Sequence, residues 1–164
     1  MPIAKSEVPA DFDEKLAVAM RFKVTMDGFE HMPAANLKYW TSVSGIDQKF
    51  DVVTYQSADH FNFKTQVPGL AKWSPIKLSR AVTAEDAKAT MSWLQKFSEK
   101  HSAKGKGTMK IEGFTAWGDP GGTWQFQGVW PSEWSGPSLD TSQTKPAMEN
   151  LTLVHDGLVN SHEE

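Results

Sequence analysis

Apolar and polar residues begin to alternate at Arg21: Phe22, Val24 and Met26 are interleaved with Lys23, Thr25 and Asp27, and Asp27-Gly28 closes the run with turn chemistry. Period two is the signature of a strand with one buried face. Tyr39-Trp40-Thr41-Ser42-Val43-Ser44, ending at Gly45, predicts a second strand, Asp51 to Gln56 a third, and Ile76-Lys77-Leu78-Ser79-Arg80 a fourth. The period then lengthens. Thr83 is a good N-cap, Glu85 and Asp86 bring negative charge to the first turn, and Ala87, Met91, Leu94 and Phe97 recur at helical spacing. These features predict one main helix over about residues 84–101, with that stripe facing the core and Gly105 and Gly107 ending it. Thr108 to Trp117 and Thr123 to Trp130 read as a hairpin closed by Gly118-Asp119-Pro120-Gly121-Gly122, and Ala147 to His155 as a last strand before Asp156-Gly157.

The remaining segments carry weaker patterns. Residues 1–20 read as an N-terminal arm, with Pro2 and Pro9 early and a faint helical spacing at Phe12, Leu16 and Met20. Phe29 to Lys38 has no period and reads as a loop. Ser57 to Leu70 reads as an irregular connection that carries His60, Phe61 and Phe63, with Pro68-Gly69 as its turn. A proline-bearing link (Pro131, Pro137, Pro146) precedes the last strand, and residues 159–164 form a polar tail. The expected organisation is therefore an arm (1–20), a β domain (21–158) and a tail (159–164). The fold class is β-rich α+β, a two-layer β-sandwich or small barrel of six or seven strands with the helix packed beside it.

A length of 164 residues is one domain's worth and can bury a sizeable core. The net charge of −3, with 17 scattered Lys and Arg, leaves no electrostatic footprint for sequence-specific nucleic-acid binding. Zero cysteine removes disulfides, thiolate metal sites and Cys nucleophiles together. Asp11, Asp13 and Glu14 interrupt the place where a signal peptide needs an apolar run, and no later stretch is apolar enough for a membrane segment, so a soluble product made in the cytosol is expected. The five histidines are scattered without ligand spacing, and phosphate-binding and nucleophile-elbow motifs are absent. Nothing singles out a pair from Glu112, Asp119, Glu133, Asp140, Glu149 and Asp156. No catalytic, cofactor-binding or metal residue is therefore assigned, and no enzyme is expected. Seven Trp against two Tyr is the compositional anomaly. Exposed Trp can stack on sugars, so a carbohydrate-binding β-sandwich module is the alternative reading; packing in a core or between subunits is the simpler use.

The linear order of segments carries a resemblance. Arg21-FKVTMDG-Phe29, YWTSVSGID (Tyr39 to Asp47), DVVTYQ (Asp51 to Gln56), Pro68-Gly69, IKLSRAVT (Ile76 to Thr83) and a helix with Trp93 are followed by WQFQGVWPSEWSGPSLD (Trp124 to Asp140) and AMENLTLVHDGL (Ala147 to Leu158). From Phe22 to Leu158 the chain resembles the tail-tube family of contractile bacteriophages and phage-derived contractile injection particles, related in fold to the haemolysin-coregulated tube protein of type VI secretion. The resemblance implies a structural role. Six copies form a ring, rings stack into a hollow inner tube inside a contractile sheath, and contraction drives the tube through a target envelope. It implies as partners the chain itself, the sheath protein, a baseplate or spike at one end and a terminator cap at the other, with the lumen as the place for protein cargo. Assembly in the cytoplasm precedes incorporation into a phage tail or injection particle. Strands shared between subunits line the lumen as a continuous β-barrel, which calls for a polar face. Lys23, Thr25 and Asp27; Lys77 and Ser79; Lys110 and Glu112; Gln125 and Gln127; and Asn150 and Thr152 are candidates for it. His31, Met32, Pro33 and Asn36 in the first loop, and His60, Phe61, Phe63 and Trp73 around the second, are the expected ring-to-ring contacts, because a repeating stack needs projections beyond the strand core. Gly45, Trp93, Trp130, Pro131 and Gly157 are the expected fold-critical positions. The long arm and the Phe29 to Lys38 stretch depart from the family pattern.

Overall fold

The computed structural model describes residues 17–29, 40–56, 64–99, 105–142 and 144–159. The strands are β1 (Ala17–Asp27), β2 (Ser42–Ser44), β3 (Gln48–Tyr55), β4 (Thr65–Trp73), β5 (Ile76–Ala81), β6 (Gly107–Thr115), β7 (Pro120–Ser135), β8 (Met148–Val154) and β9 (Gly157–Val159). Helix α1 spans Ala84–Glu99, between β5 and β6. Seven strands form one sheet in the order β1-β6-β7-β8-β5-β2, with β9 also on β7, while β3 and β4 pair only with each other.

Period two explains the burial. Along β5, Ile76, Leu78 and Arg80 are buried while Lys77 is exposed; along β6, Met109 and Ile111 are buried; along β8, Glu149, Leu151 and Leu153 are buried. β7 belongs to both halves of the sheet: Pro120 to Val129 pair with β6, and Trp130 to Ser135 pair with β8. The sheet curls there, so Val24, Met26, Met109, Ile111 and Phe126 from one half meet Ile76, Leu78, Leu151 and Leu153 from the other in one core. Each such side chain contributes about 1.5–3 kcal/mol by leaving water. Trp93 of α1, 1% exposed, closes that core, and Phe29 packs edge-on against it at 5.4 Å.

Several expectations change in detail. Ala17–Met20 extend β1 rather than belonging to the arm, and Met20 is not helical; Phe12 and Leu16 lie outside the described residues. α1 runs to Glu99, and the expected end at residue 101 also lies outside them. Its buried residues are Thr90 and Trp93, whereas Met91 is 51% exposed, so the core face is rotated from the expected stripe. The cause is polar: Arg80 draws Thr90 inward by a hydrogen bond to its hydroxyl. Pro68 and Gly69 do not make a turn but sit within β4, beside a bulge between Phe50 and Val52. Such a ribbon tolerates proline because, among the described residues, its outer edges have no partner strand. β7 runs on through Trp130-Pro131 to Ser135, where a link was expected, and Gly157–Val159 pair with β7, so that Val159, expected in the tail, ends a strand.

Candidate assembly surfaces

The β3–β4 ribbon stands off the body. Every residue of β3 is exposed, as are most of β4. Val52 lies opposite Pro68 and Val53 opposite Val67, and adjacent pairs point to opposite faces, so both faces of the ribbon are apolar. Phe50 (57%), Val52 (64%), Tyr55 (61%) and Leu70 (79%) are the most exposed of these side chains. An isolated two-stranded ribbon is marginal in water, and apolar exposure on both faces marks it for contact with something else.

The root of the ribbon is, by contrast, tightly fixed. The Ser74 N–H donates to the Asp47 carbonyl at 3.1 Å. Gly45 (φ +90°) lies so close to Pro75 that a Cβ there would come within 2.0 Å of its carbonyl oxygen. Trp73, half-buried, packs against the His155 ring at 5.7 Å, and His155 in turn lies 4.6 Å from Phe126. Gly157 (φ +145°) lets the chain pass the Trp73 indole: a Cβ there would sit 3.1 Å from its nitrogen. His155 Nε2 lies 3.1 Å from the Ser74 carbonyl, which can only accept, so Nε2 carries the proton; Nδ1 is buried with no partner among the described residues. Burial holds the His155 pKa below the ordinary histidine value, against the opposing pull of the Ser74 carbonyl and Asp156. Lys106 binds Asp156 at 3.2 Å.

A second buried cluster ties the helix to the sheet. Arg80 Nε donates to Glu149 Oε1, its Nη2 donates to the Thr90 hydroxyl at 3.0 Å, and its guanidinium lies 4.8 Å over the Trp40 ring. Trp134 Nε1 donates to the other Glu149 oxygen at 3.2 Å. Arg80 and Glu149 are 2% and 0% exposed, so each charge is satisfied inside the protein or not at all.

Register assigns the polar residues to the outward faces. Lys23 lies opposite Glu112, Thr25 opposite Lys110, and Lys110 opposite Gln125, so these share one face of β1, β6 and β7. Lys77 lies opposite Thr152 and Ser79 opposite Asn150, with Glu133 and Ser135 across β8 from the same two residues. Lys110 and Glu112 form an ion pair at 2.7 Å.

Of the expected contact residues, Trp73 lies at the ribbon root; His31, Met32, Pro33, Asn36, His60, Phe61 and Phe63 lie outside the described residues. Gly45 and Gly157 flank that root, Trp93 is in the core, and half-buried Trp130 and buried Pro131 lie where β7 passes from one half of the sheet to the other. Sequence reasoning missed β4 and the Arg80–Glu149 pair. The buried charges had a faint signal, since both fall on the apolar phase of their strands. Six of the seven Trp are buried or half-buried, and only Trp117 is exposed, at 77%.

Residues 18–159 match the family model of the T4-like virus tail tube protein gp19. The chain belongs to that tail-tube family. Its role is accordingly structural and not enzymatic. No curated protein matches the chain. Among solved structures it is similar to a chain of the sheath-tube complex of the extracellular contractile injection system PVC in its extended state, with 20% identity, a TM-score of 0.71, and coverage of 94% of this chain and 92% of that one. A chain of the anti-feeding prophage baseplate, 6-fold symmetrised, gives 17% identity and a TM-score of 0.73, covering 87% and 93%. A chain of the anti-feeding prophage tube-terminating cap gives 22% identity and a TM-score of 0.70, covering 87% and 89%. At these identities the likeness is one of fold, and it extends over nearly the whole domain. Among the described residues, no helix is long and apolar enough to cross a membrane, and no group of three or more His, Asp or Glu could hold a metal ion.

Proposed function

We propose that this tail-tube protein is the inner tube subunit of a contractile particle, forming hexameric rings that stack into a hollow tube. The tube lies inside a sheath, is bounded by baseplate and terminator cap, and is driven through a target envelope when the sheath contracts. The β3–β4 ribbon carries the reading: apolar on both faces and clear of its own body, it needs covering from two sides, which neighbours in a repeating stack supply. Among the described residues the outer edge of β1 has no partner strand, which adds to this, because pairing between neighbouring subunits removes a hazard for aggregation. Each outward face that register assembles would give a hydrophilic channel wall, Lys23 and Lys110 being offset by Asp27 and Glu112 on one and Lys77 by Glu133 on the other. Such a wall suits passing protein cargo, since it has no dominant charge to retain it. Assembly takes place in the cytoplasm of the producing cell, before the particle is released.

Negative-stain electron microscopy of the purified chain, alongside its mass by light scattering, tests this. Six-fold rings or stacked tubes are the expected result. A monomer at every concentration, with or without the neighbouring sheath and baseplate proteins, would overturn it.

A further inference from the structure

The β6–β7 hairpin ends in a rigid tip that presents the one exposed tryptophan. The Thr115 N–H donates to the Asp119 carbonyl at 2.8 Å, Gly118 N–H to the Thr115 carbonyl at 3.1 Å and Asp119 N–H to the Thr115 hydroxyl at 3.2 Å. Arg21, from the neighbouring β1, donates to the Ala116 carbonyl at 2.8 Å. Gly118, at φ +98°, completes the turn. Trp117, held on this pedestal, is 77% exposed. Pre-ordering lowers the entropy lost on binding, and Trp is among the residues enriched at interface hot spots.

The tip lies at the start of β7 and the ribbon root beside its middle. Pro120 adjoins the tip, whereas Gln127 pairs with Gly157, against which Trp73 packs. At about 3.4 Å per residue the stretch from Pro120 to Gln127 spans roughly 25 Å. With its own ribbon in place Trp117 is still 77% exposed, so the subunit does not cover its own Trp117. The strands of a tube wall run obliquely to the channel axis, tilted by about 35–45° in barrels, so hairpin tips project at one rim of a ring and strand roots at the other. From this placement, and resting on the tube reading above, we infer that Trp117 of one subunit docks on the exposed apolar surface of the β3–β4 ribbon, around Leu70 and Phe50, of a second copy in the adjacent ring. The contact is head-to-tail, so it propagates along the stack instead of closing a dimer.

The absence of cysteine makes the test specific. Ala116→Cys, exposed beside Trp117 and used in the turn only through its carbonyl, carries a benzophenone maleimide at that site alone while Trp117 is kept, and photolysis of assembled material followed by mass spectrometry maps what the tip touches. Cross-links to residues 48–73 of another copy are expected. Cross-links between two tips, or to any other surface, would overturn the assignment. Trp117→Ser should lose stacked tubes while keeping rings, and Trp117→Phe should restore tubes; a Trp117→Ser protein with tubes of wild-type length would also overturn it. Wild-type polymer is the reference in each measurement, so a failure of tube formation as such is read separately from a failure of this contact.

Discussion

His155 joins core and ribbon through one imidazole: Phe126 on one side, Trp73 on the other, and the Ser74 carbonyl at Nε2. Because burial lowers its pKa in the folded protein, the folded state takes up fewer protons than the unfolded chain just below the ordinary value of 6.5. Its contribution to stability is therefore complete above pH 6.5 and falls as pH drops toward the lowered folded value. Thermal unfolding followed from pH 7.5 to 5 should show a steeper loss for wild type than for His155→Gln, and parallel curves would remove His155 as the cause. Gly45 is limiting in another way. Gly45→Ala places a methyl on the Pro75 carbonyl in a left-handed backbone conformation, so a cost of about 2 kcal/mol and a fall in Tm of roughly 4–8 °C are expected by calorimetry.

At the scale of elements, Arg80 and Glu149 decide how α1 sits on the sheet. Both occupy the inward phase of strands that otherwise bury Ile76, Leu78, Leu151 and Leu153. Removing one partner leaves a buried charge, so Glu149→Leu should cost about 3–5 kcal/mol in chemical denaturation, while Arg80→Met combined with Glu149→Leu should recover much of it. The same pair explains why the helix stripe was misread: Ala87, Met91, Leu94 and Phe97 have the right spacing, but the guanidinium selects Thr90, and Trp93 follows it inward. β4 was illegible for a related reason. Pro68-Gly69 carries strong turn chemistry, and only a ribbon with an open edge and a bulge can absorb it.

For the molecule as a whole, the body and the ribbon are predicted to answer to different measurements. Replacing Phe50, Val52, Tyr55 and Leu70 by serine should leave the Tm of the isolated subunit within a few degrees, because those side chains are solvent-exposed, yet abolish long tubes in electron micrographs. Normal tubes from that variant would mean that the ribbon is not an assembly surface. The six tryptophans that are buried or half-buried are mostly committed to the body and its ribbon root, which leaves Trp117 as the tryptophan available to a neighbour.

Periodicity was enough to place β1, β5, β6, β8 and helix α1, and for the strands local alternation of side chains already states which face is buried, whereas the buried face of α1 was set by Arg80. The order of those segments was enough to reach the tail-tube family, since each piece is weak but their succession is improbable by chance. Three features lay beyond such reading: the ribbon's independence from the body, the Arg80–Glu149 pair, and the separation of Trp117, at the start of β7, from Trp73, beside its middle. Each depends on residues far apart in the chain being brought to one place, or kept from it, by the curl of the sheet, and no local pattern of hydrophobicity encodes that distance.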